Sequence, residues 1–161
     1  MIDTKTIERI QLLHPKLRKE AEDIYKEITE ALTGSAMCRF SYTLRTFYEQ
    51  NELYSYGRTK QGNKVTNAKG GYSYHNYGLA LDIVLIDNNI AEWDIKKDYD
   101  KDSISDWMEV VHIFKSFGWE WGGDWKFTDN PHFQKTFGYP IRQLLEMYNS
   151  NKVDKNNYVL I

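Results

Sequence analysis

The sequence predicts an α+β domain in which a central antiparallel sheet is flanked by helices. Three observations carry this. Apolar residues recur at three- and four-residue steps over 15–32, apolar and polar residues alternate over 36–45, and a strongly β-forming run fills 80–86. Leu17, Ala21, Ile24, Ile28 and Ala31 make one stripe of the first helix. Pro15 suits its opening turn and Gly34 its stop. In the strand that follows, Cys38, Phe40, Tyr42 and Leu44 form one face, against Met37, Arg39, Ser41 and Thr43. Thr46 is placed to cap a second helix over 47–56. Residues 57–78, rich in Gly, Asn, Lys and Tyr, read as a long ordered loop of the kind that carries function. Asp87-Asn88-Asn89 reads as a hairpin turn joining strands over 80–86 and 90–93. Ser103 with Asp106 has the spacing of a capping box ahead of a helix over 107–117, which Gly118 ends. Short β pieces are expected around Gly122-Gly123, then a last helix from Pro140 through Tyr148. The closing Tyr158–Ile161 fits either a pinned strand or a frayed end.

Composition bounds the function. A length of 161 residues fits one domain, 1–161, with a sizeable core. The charge balance, 21 − 23 = −2, argues against a broad nucleic-acid surface and against a polybasic membrane anchor. The single Cys38 excludes an internal disulfide framework and a cysteine-based zinc cluster, and it reads as a buried small hydrophobe. Any metal must therefore use His, Asp or Glu, and the histidines are His14, His75, His112 and His132. The start of the chain has no basic segment leading into an apolar one, and no apolar run is long enough to span a bilayer. Synthesis in the cytoplasm without a signal peptide, no membrane insertion and a monomeric state are expected. Aromatic residues make up 15%, which suits a ligand-packing cleft as well as a core.

Chemistry concentrates in two stretches. In Ser73-Tyr74-His75-Asn76-Tyr77-Gly78-Leu79-Ala80-Leu81-Asp82, an aspartate lies between apolar strand residues. Its ionised form is costly unless it is paired or bound to a cation. Either His75 and Asp82 point at one metal, or Asp82 faces solvent at a strand edge and His75 is a hydrogen-bonded loop residue. The second stretch, Trp119-Glu120-Trp121-Gly122-Gly123-Asp124-Trp125 followed by Asp129-Asn130-Pro131-His132, supplies a third ligand in His132. Two histidines and one carboxylate suit Zn²⁺ with a fourth position open to water. Asp129, three residues before His132, is placed to take a proton from that water. His14 and His112 belong to no ligand-spaced set and read as structural.

Together these stretches resemble the M15-type zinc peptidases of the peptidoglycan LD/DD-peptidase group. The pattern S-x-H-x-x-G-x-A-x-D is filled by Ser73, His75, Gly78, Ala80 and Asp82, and the carboxylate-x-x-H block by Asp129 and His132. A third block, Arg45 through Tyr54 with Gly57-Arg58-Thr59, looks like the segment preceding the zinc loop. The resemblance implies the Hedgehog/DD-peptidase fold, with His75, Asp82 and His132 as zinc ligands and Asp129 as general base to a zinc-activated water. It implies that Arg45 and Gln50 face the cleft. Arg45 would bind a substrate carboxylate or the oxyanion, and Gln50 and Ser73 would orient the peptide. Asp129 together with the GGDW-type block is similar to phage and bacterial L-alanyl-D-glutamate endopeptidases. The substrate would be peptidoglycan stem peptide, reached after release through a holin-like pore or host lysis. The match takes up nearly the whole chain, so no separate wall-binding domain is expected. A D,D- or L,D-carboxypeptidase of the same fold is the close alternative. A non-catalytic zinc-stabilised binding module, as in the Hedgehog signalling domain, is the distant one.

A second metal has its own signal. Asp98, Asp100, Asp102, Asp106 and Glu109 fall at positions 1, 3, 5, 9 and 12 of an EF-hand-type calcium loop, and Ile104 at position 7 would offer its carbonyl. Ser103 stands at the sixth position, where glycine eases the sharp turn. The stretch reads either as a Ca²⁺ loop or as a solvated acidic loop ahead of a helix.

Overall fold

The computed structural model describes residues 2–161. Five helices surround a five-stranded antiparallel sheet: α1 (Thr4–Ile10), α2 (Pro15–Ala31), β1 (Met37–Tyr42), α3 (Phe47–Ser55), β2 (Ala80–Asp87), β3 (Ile90–Glu92), α4 (Asp106–Ser116), β4 (Glu120–Trp121), β5 (His132–Gln134) and α5 (Ile141–Asn149). The strand order is β1-β2-β5-β4, with β3 paired to β2. The expected α+β class holds, and most helices stand where periodicity puts them. Thr46 caps α3 through a reciprocal capping box with Glu49.

Three elements differ from expectation. β1 stops at Tyr42, short of 45, and a register shift against β2 after Phe40 leaves Tyr42 exposed instead of on the buried face. α1 is short, seven residues, and its pattern is too brief to announce itself. It is fixed by its N-cap, Asp3, which accepts from the Thr6 amide. The cap of α4 is Ser105, not Ser103: the Ser105 hydroxyl accepts from the Met108 amide. Ser103 is instead held at φ 81 within the preceding loop, which rules out the extended backbone an N-cap needs.

The alternation of β2 decides where its aspartate goes. Leu81, Ile83 and Leu85 are fully buried and join the core beneath α2 and α4, with Phe40, Phe114 and Phe133 among their neighbours. Phe114 of α4 stacks on Phe133 of β5 at 4.2 Å between ring centres. Asp82 therefore projects from the opposite face of the sheet. Cys38 is buried in the core as expected, and burial pushes its thiol pKa well up.

The chain ends are tied to each other. His14 caps α2 by accepting from the Lys16 amide through Nδ1, which makes Nε2 the donor to the Val159 carbonyl at 2.9 Å. The tail is thus pinned, with Val153 and Val159 bridged. Gly78, at φ 67, receives the His14 amide on its carbonyl, and a Cβ there would strike the His14 backbone. That contact brings the start of α2 to the turn that carries His75.

Asp3 fastens α1 to the sheet. Its carboxylate accepts from Arg39 Nε and Nη2 at 2.9 and 2.8 Å and from the Thr6 hydroxyl. Burial pushes the Asp3 carboxyl up, but the Arg39 and Thr6 hydrogen bonds outweigh it and hold the pKa below its ordinary 3.8. A depressed carboxyl stabilises the fold above its unfolded value, and that contribution is lost as pH falls through the folded one. Asp3→Asn is expected to cost about 1–3 kcal/mol in urea unfolding at neutral pH. The difference from the parent should shrink as pH drops below 3.8. A constant difference across that range would contradict the assignment.

Candidate metal centre and cleft

Backbone pairing brings two functional carboxylate and imidazole groups together. In the β2–β5 ladder Asp82 lies directly opposite His132. His75 arrives from a 3-10 turn, Tyr74–Tyr77, whose N-cap is Ser73. The turn is locked to the segment after β1. The Arg45 amide donates to the His75 carbonyl, and the Asn76 side chain donates to the Arg45 carbonyl.

The three side chains converge with one atom each. His75 Nε2 lies 3.2 Å from His132 Nδ1 and 3.3 Å from Asp82 Oδ1, and His132 Nδ1 lies 3.2 Å from the same oxygen. Ligand atoms about 2.0–2.1 Å from a tetrahedral centre are about 3.3 Å apart, so the triangle has the edge length of a zinc site. Among the described residues this trio could hold a metal ion.

The remaining ring nitrogens fix the tautomers. His75 Nδ1 faces the Thr43 carbonyl at 2.8 Å, which can only accept, so Nδ1 carries the proton and Nε2 is free. His132 Nε2 faces Gln134 Oε1 at 3.0 Å, and Gln134 Nε2 donates to Glu120. That orientation of the amide leaves His132 Nδ1 as the free nitrogen. In the metal-free chain burial pushes the Asp82 carboxyl up, but when the inward nitrogens of His132 and His75 take up protons they donate to it, and this holds it well below the carboxylate range. Burial lowers His132, and the Asp82 hydrogen bond more than restores it, so its pKa is raised. Protons and a metal therefore compete for the same atoms.

Asp129 lines the same cleft, of about 410 Å³, as Arg45, Ser73 and the triangle. Burial raises the Asp129 carboxyl above its ordinary value, although His132 pulls the other way. Gly122 positions it. The Asp129 amide donates to the Gly122 carbonyl at 2.9 Å, and a Cβ on Gly122 would collide with the Asp129 carbonyl. Trp125 stands 5.2 Å from the His132 ring and walls the site, while Trp121 is buried and holds the Asn130 carbonyl through its indole N–H. Asp124 pairs with Lys115 and supports no histidine.

Arg45 points its Nη2 at Asp82 Oδ2, 4.0 Å away, and its Nε has no partner among the described residues. Ser73 lines the cleft, and its hydroxyl also accepts from the His75 amide. Gln50, expected to face the cleft, is instead fully buried one layer back. Its carbonyl oxygen accepts from Arg45 Nη1 at 3.1 Å and its amide donates to the Ala68 carbonyl at 2.7 Å. It ties Arg45 to the long loop and leaves no group for a peptide. Thr43, Gln134 and Glu120 were not legible as supports, because their role depends on which strand neighbours a histidine. Only the two-residue offset from His132, which puts Gln134 on the same strand face, marks Gln134 in the sequence.

Comparison with known proteins places this geometry. Residues 66–135, which contain all three corners of the triangle and Asp129, match the M15 peptidase family described as D-alanyl-D-alanine carboxypeptidase. Over 119 residues the chain is 57% identical to the peptidoglycan L-alanyl-D-glutamate endopeptidase CwlK of Bacillus subtilis (strain 168), covering 69% of this chain and 71% of that protein. It is 37% identical over 94 residues to the L-alanyl-D-glutamate peptidase of Listeria phage A118, covering 54% of this chain and 31% of that protein. Among solved structures, the L-Ala D-Glu endopeptidase ChiX of Serratia marcescens superposes with a TM-score of 0.56 at 26% identity, over 84% of this chain and 90% of that one. The chain belongs to the M15-type metallopeptidases.

Gln50→Ala removes both fastenings of the layer behind Arg45. We expect a loss of about 1–3 kcal/mol in chemical denaturation. An unchanged midpoint would show that the buried amide holds nothing.

Proposed function

We propose that this protein is a zinc-dependent peptidoglycan peptidase that hydrolyses the L-Ala–D-Glu bond of stem peptides. The observation that carries the reading is the 3.2–3.3 Å triangle of His75, Asp82 and His132 facing Asp129, in a chain 57% identical to a protein named for that reaction. Both free histidine nitrogens and Asp82 Oδ1 fit Zn²⁺ in spacing and in chemistry. When bound there, zinc lowers the pKa of water toward about 7 and polarises the scissile carbonyl.

The chain's own residues supply the rest. Asp129 accepts the proton of the attacking water and returns it to the leaving amine, from its place on the wall of the cleft that the triangle lines. Arg45 lines the cleft with its Nη2 directed toward Asp82, and this guanidinium end offers donors to the developing oxyanion or to the free carboxyl of D-Glu beside the bond. Ser73 on the cleft wall orients the peptide. A second hollow of about 290 Å³, shared at Tyr42, Arg45 and Leu53, extends the cleft past Arg45 and gives room for substrate beyond a terminal residue. Affinity for the wall, within residues 2–161, rests on this cleft. Action at the wall agrees with the names of the relatives, and no described helix is long and apolar enough to cross a membrane.

The family description keeps a carboxypeptidase as the second reading. Mass spectrometry of digested wall separates the two. New amino-terminal D-Glu supports the endopeptidase, and released D-Ala supports the carboxypeptidase. No product from any muropeptide would favour a binding module.

Asp129→Ala should lower turnover by about 10²–10⁴-fold while one zinc per chain is retained. Undiminished turnover would remove Asp129 as the base. Gln134→Leu frees His132 Nε2 and should weaken zinc binding by about 10–100-fold without unfolding the chain. Equal affinity in a competition titration against a chelator would show that the tautomer is set elsewhere.

A further inference from the structure

We propose that residues 98–109 form a calcium site, built as a twelve-residue EF-hand-type loop and separate from the His75–Asp82–His132 triangle. The carboxylates that the sequence spaces along this loop converge in the fold. One oxygen each from Asp98, Asp100 and Asp106 lie within 4.8 Å of one another, and so do one each from Asp100, Asp102 and Glu109. Asp100 belongs to both trios, which joins the five carboxylates into one continuous cluster.

The sequence objection to such a loop was Ser103 at the sixth position. The backbone answers it: Ser103 adopts φ 81, the left-handed conformation that the loop's glycine normally supplies.

Burial provides the independent observation. Asp106 is fully buried, and while its Oδ1 accepts from the Tyr99 amide, its Oδ2 has no hydrogen-bond partner among the described residues. Oε2 of Glu109 is buried and unpartnered in the same way. None of the five carboxylates is in an ion pair with Lys, Arg or His among the described residues. Buried polar atoms are nearly always satisfied, and a buried carboxylate without partner or cation is expensive. Burial, and then the like charges of Asp102, Asp100, Asp106 and Asp98, push the Glu109 carboxyl up to about 7. The cluster lacks positive charge at its centre.

The donor set names the cation class. It is all oxygen, five carboxylates with the Ile104 carbonyl available at the seventh position of the loop, which suits the six to eight oxygen ligands of Ca²⁺. Zinc prefers nitrogen and sulfur, and magnesium keeps its waters. The location gives the site a consequence. Asp100 also accepts from the Thr33 amide and hydroxyl just after α2, and Asp106 and Glu109 open α4. A bound cation would clamp α2 to α4, whose Phe114 stacks on the β5 residue next to His132.

The test titrates CaCl2 into zinc-loaded protein in resin-stripped buffer, by calorimetry and by thermal melting, alongside Glu109→Gln and Asp98→Asn. The proposal expects one saturable calcium per chain and a raised Tm. Each variant should bind at least tenfold more weakly with zinc content unchanged. Glu109→Gln should melt no lower than the parent without calcium, because it relieves the repulsion. No saturable binding, equal binding by the variants, or magnesium binding as tightly as calcium would overturn it.

Discussion

Asp82 stands across from His132 because β2 and β5 pair antiparallel in one register, and everything at the site inherits that alignment. A slip by one residue would turn Asp82 into the core and His132 away from it. The register is held by the same residues that build the core: Leu81 pairs with Phe133, and Phe133 stacks on Phe114 of α4. Packing on one face of the sheet thereby sets chemistry on the other. The third corner, His75, is not on the sheet, and is brought in by hydrogen bonds from Arg45 and Asn76 and by its own bond to the Thr43 carbonyl.

The same arrangement stores an electrostatic demand. Two imidazoles and a carboxylate are held within 3.3 Å of one another, with the outward ring nitrogens already engaged. Thr43 and Gln134 commit the outward nitrogens, so the inward ones have no protein partner beyond each other and Asp82. A divalent cation answers that demand better than a proton, because it satisfies all three atoms at once. Arg45 sits at the limit of ion pairing with Asp82, and its Nη1 donates to Gln50, so the guanidinium is held against the rim of the triangle.

How much of this could be read in advance varies with the physics involved. The α+β class, the α3 cap and the buried stripe of α2 follow from local periodicity and capping, which sequence records directly. The triangle residues and Asp129 were legible because their spacing is chemical, and the fold brings all four to one cleft. Gln50 was placed at the substrate and is found behind Arg45, since a polar helix residue can face solvent, ligand or core and only tertiary packing decides. The S-x-x-D spacing points to Ser103 as the cap of α4, and the loop conformation that removes it from that role is not encoded in that spacing alone. Gln134 and Glu120 escaped because their meaning depends on His132's tautomer.

The central claim, that strand register prebuilds a zinc site with its ligand atoms already chosen, is tested most directly by anomalous diffraction at the zinc edge from crystals of the zinc-loaded protein. The account predicts one zinc about 2.0–2.1 Å from His75 Nε2, His132 Nδ1 and one Asp82 oxygen, with the β2–β5 register unchanged. Zinc bound through His132 Nε2, or at a centre that omits Asp82, would contradict it.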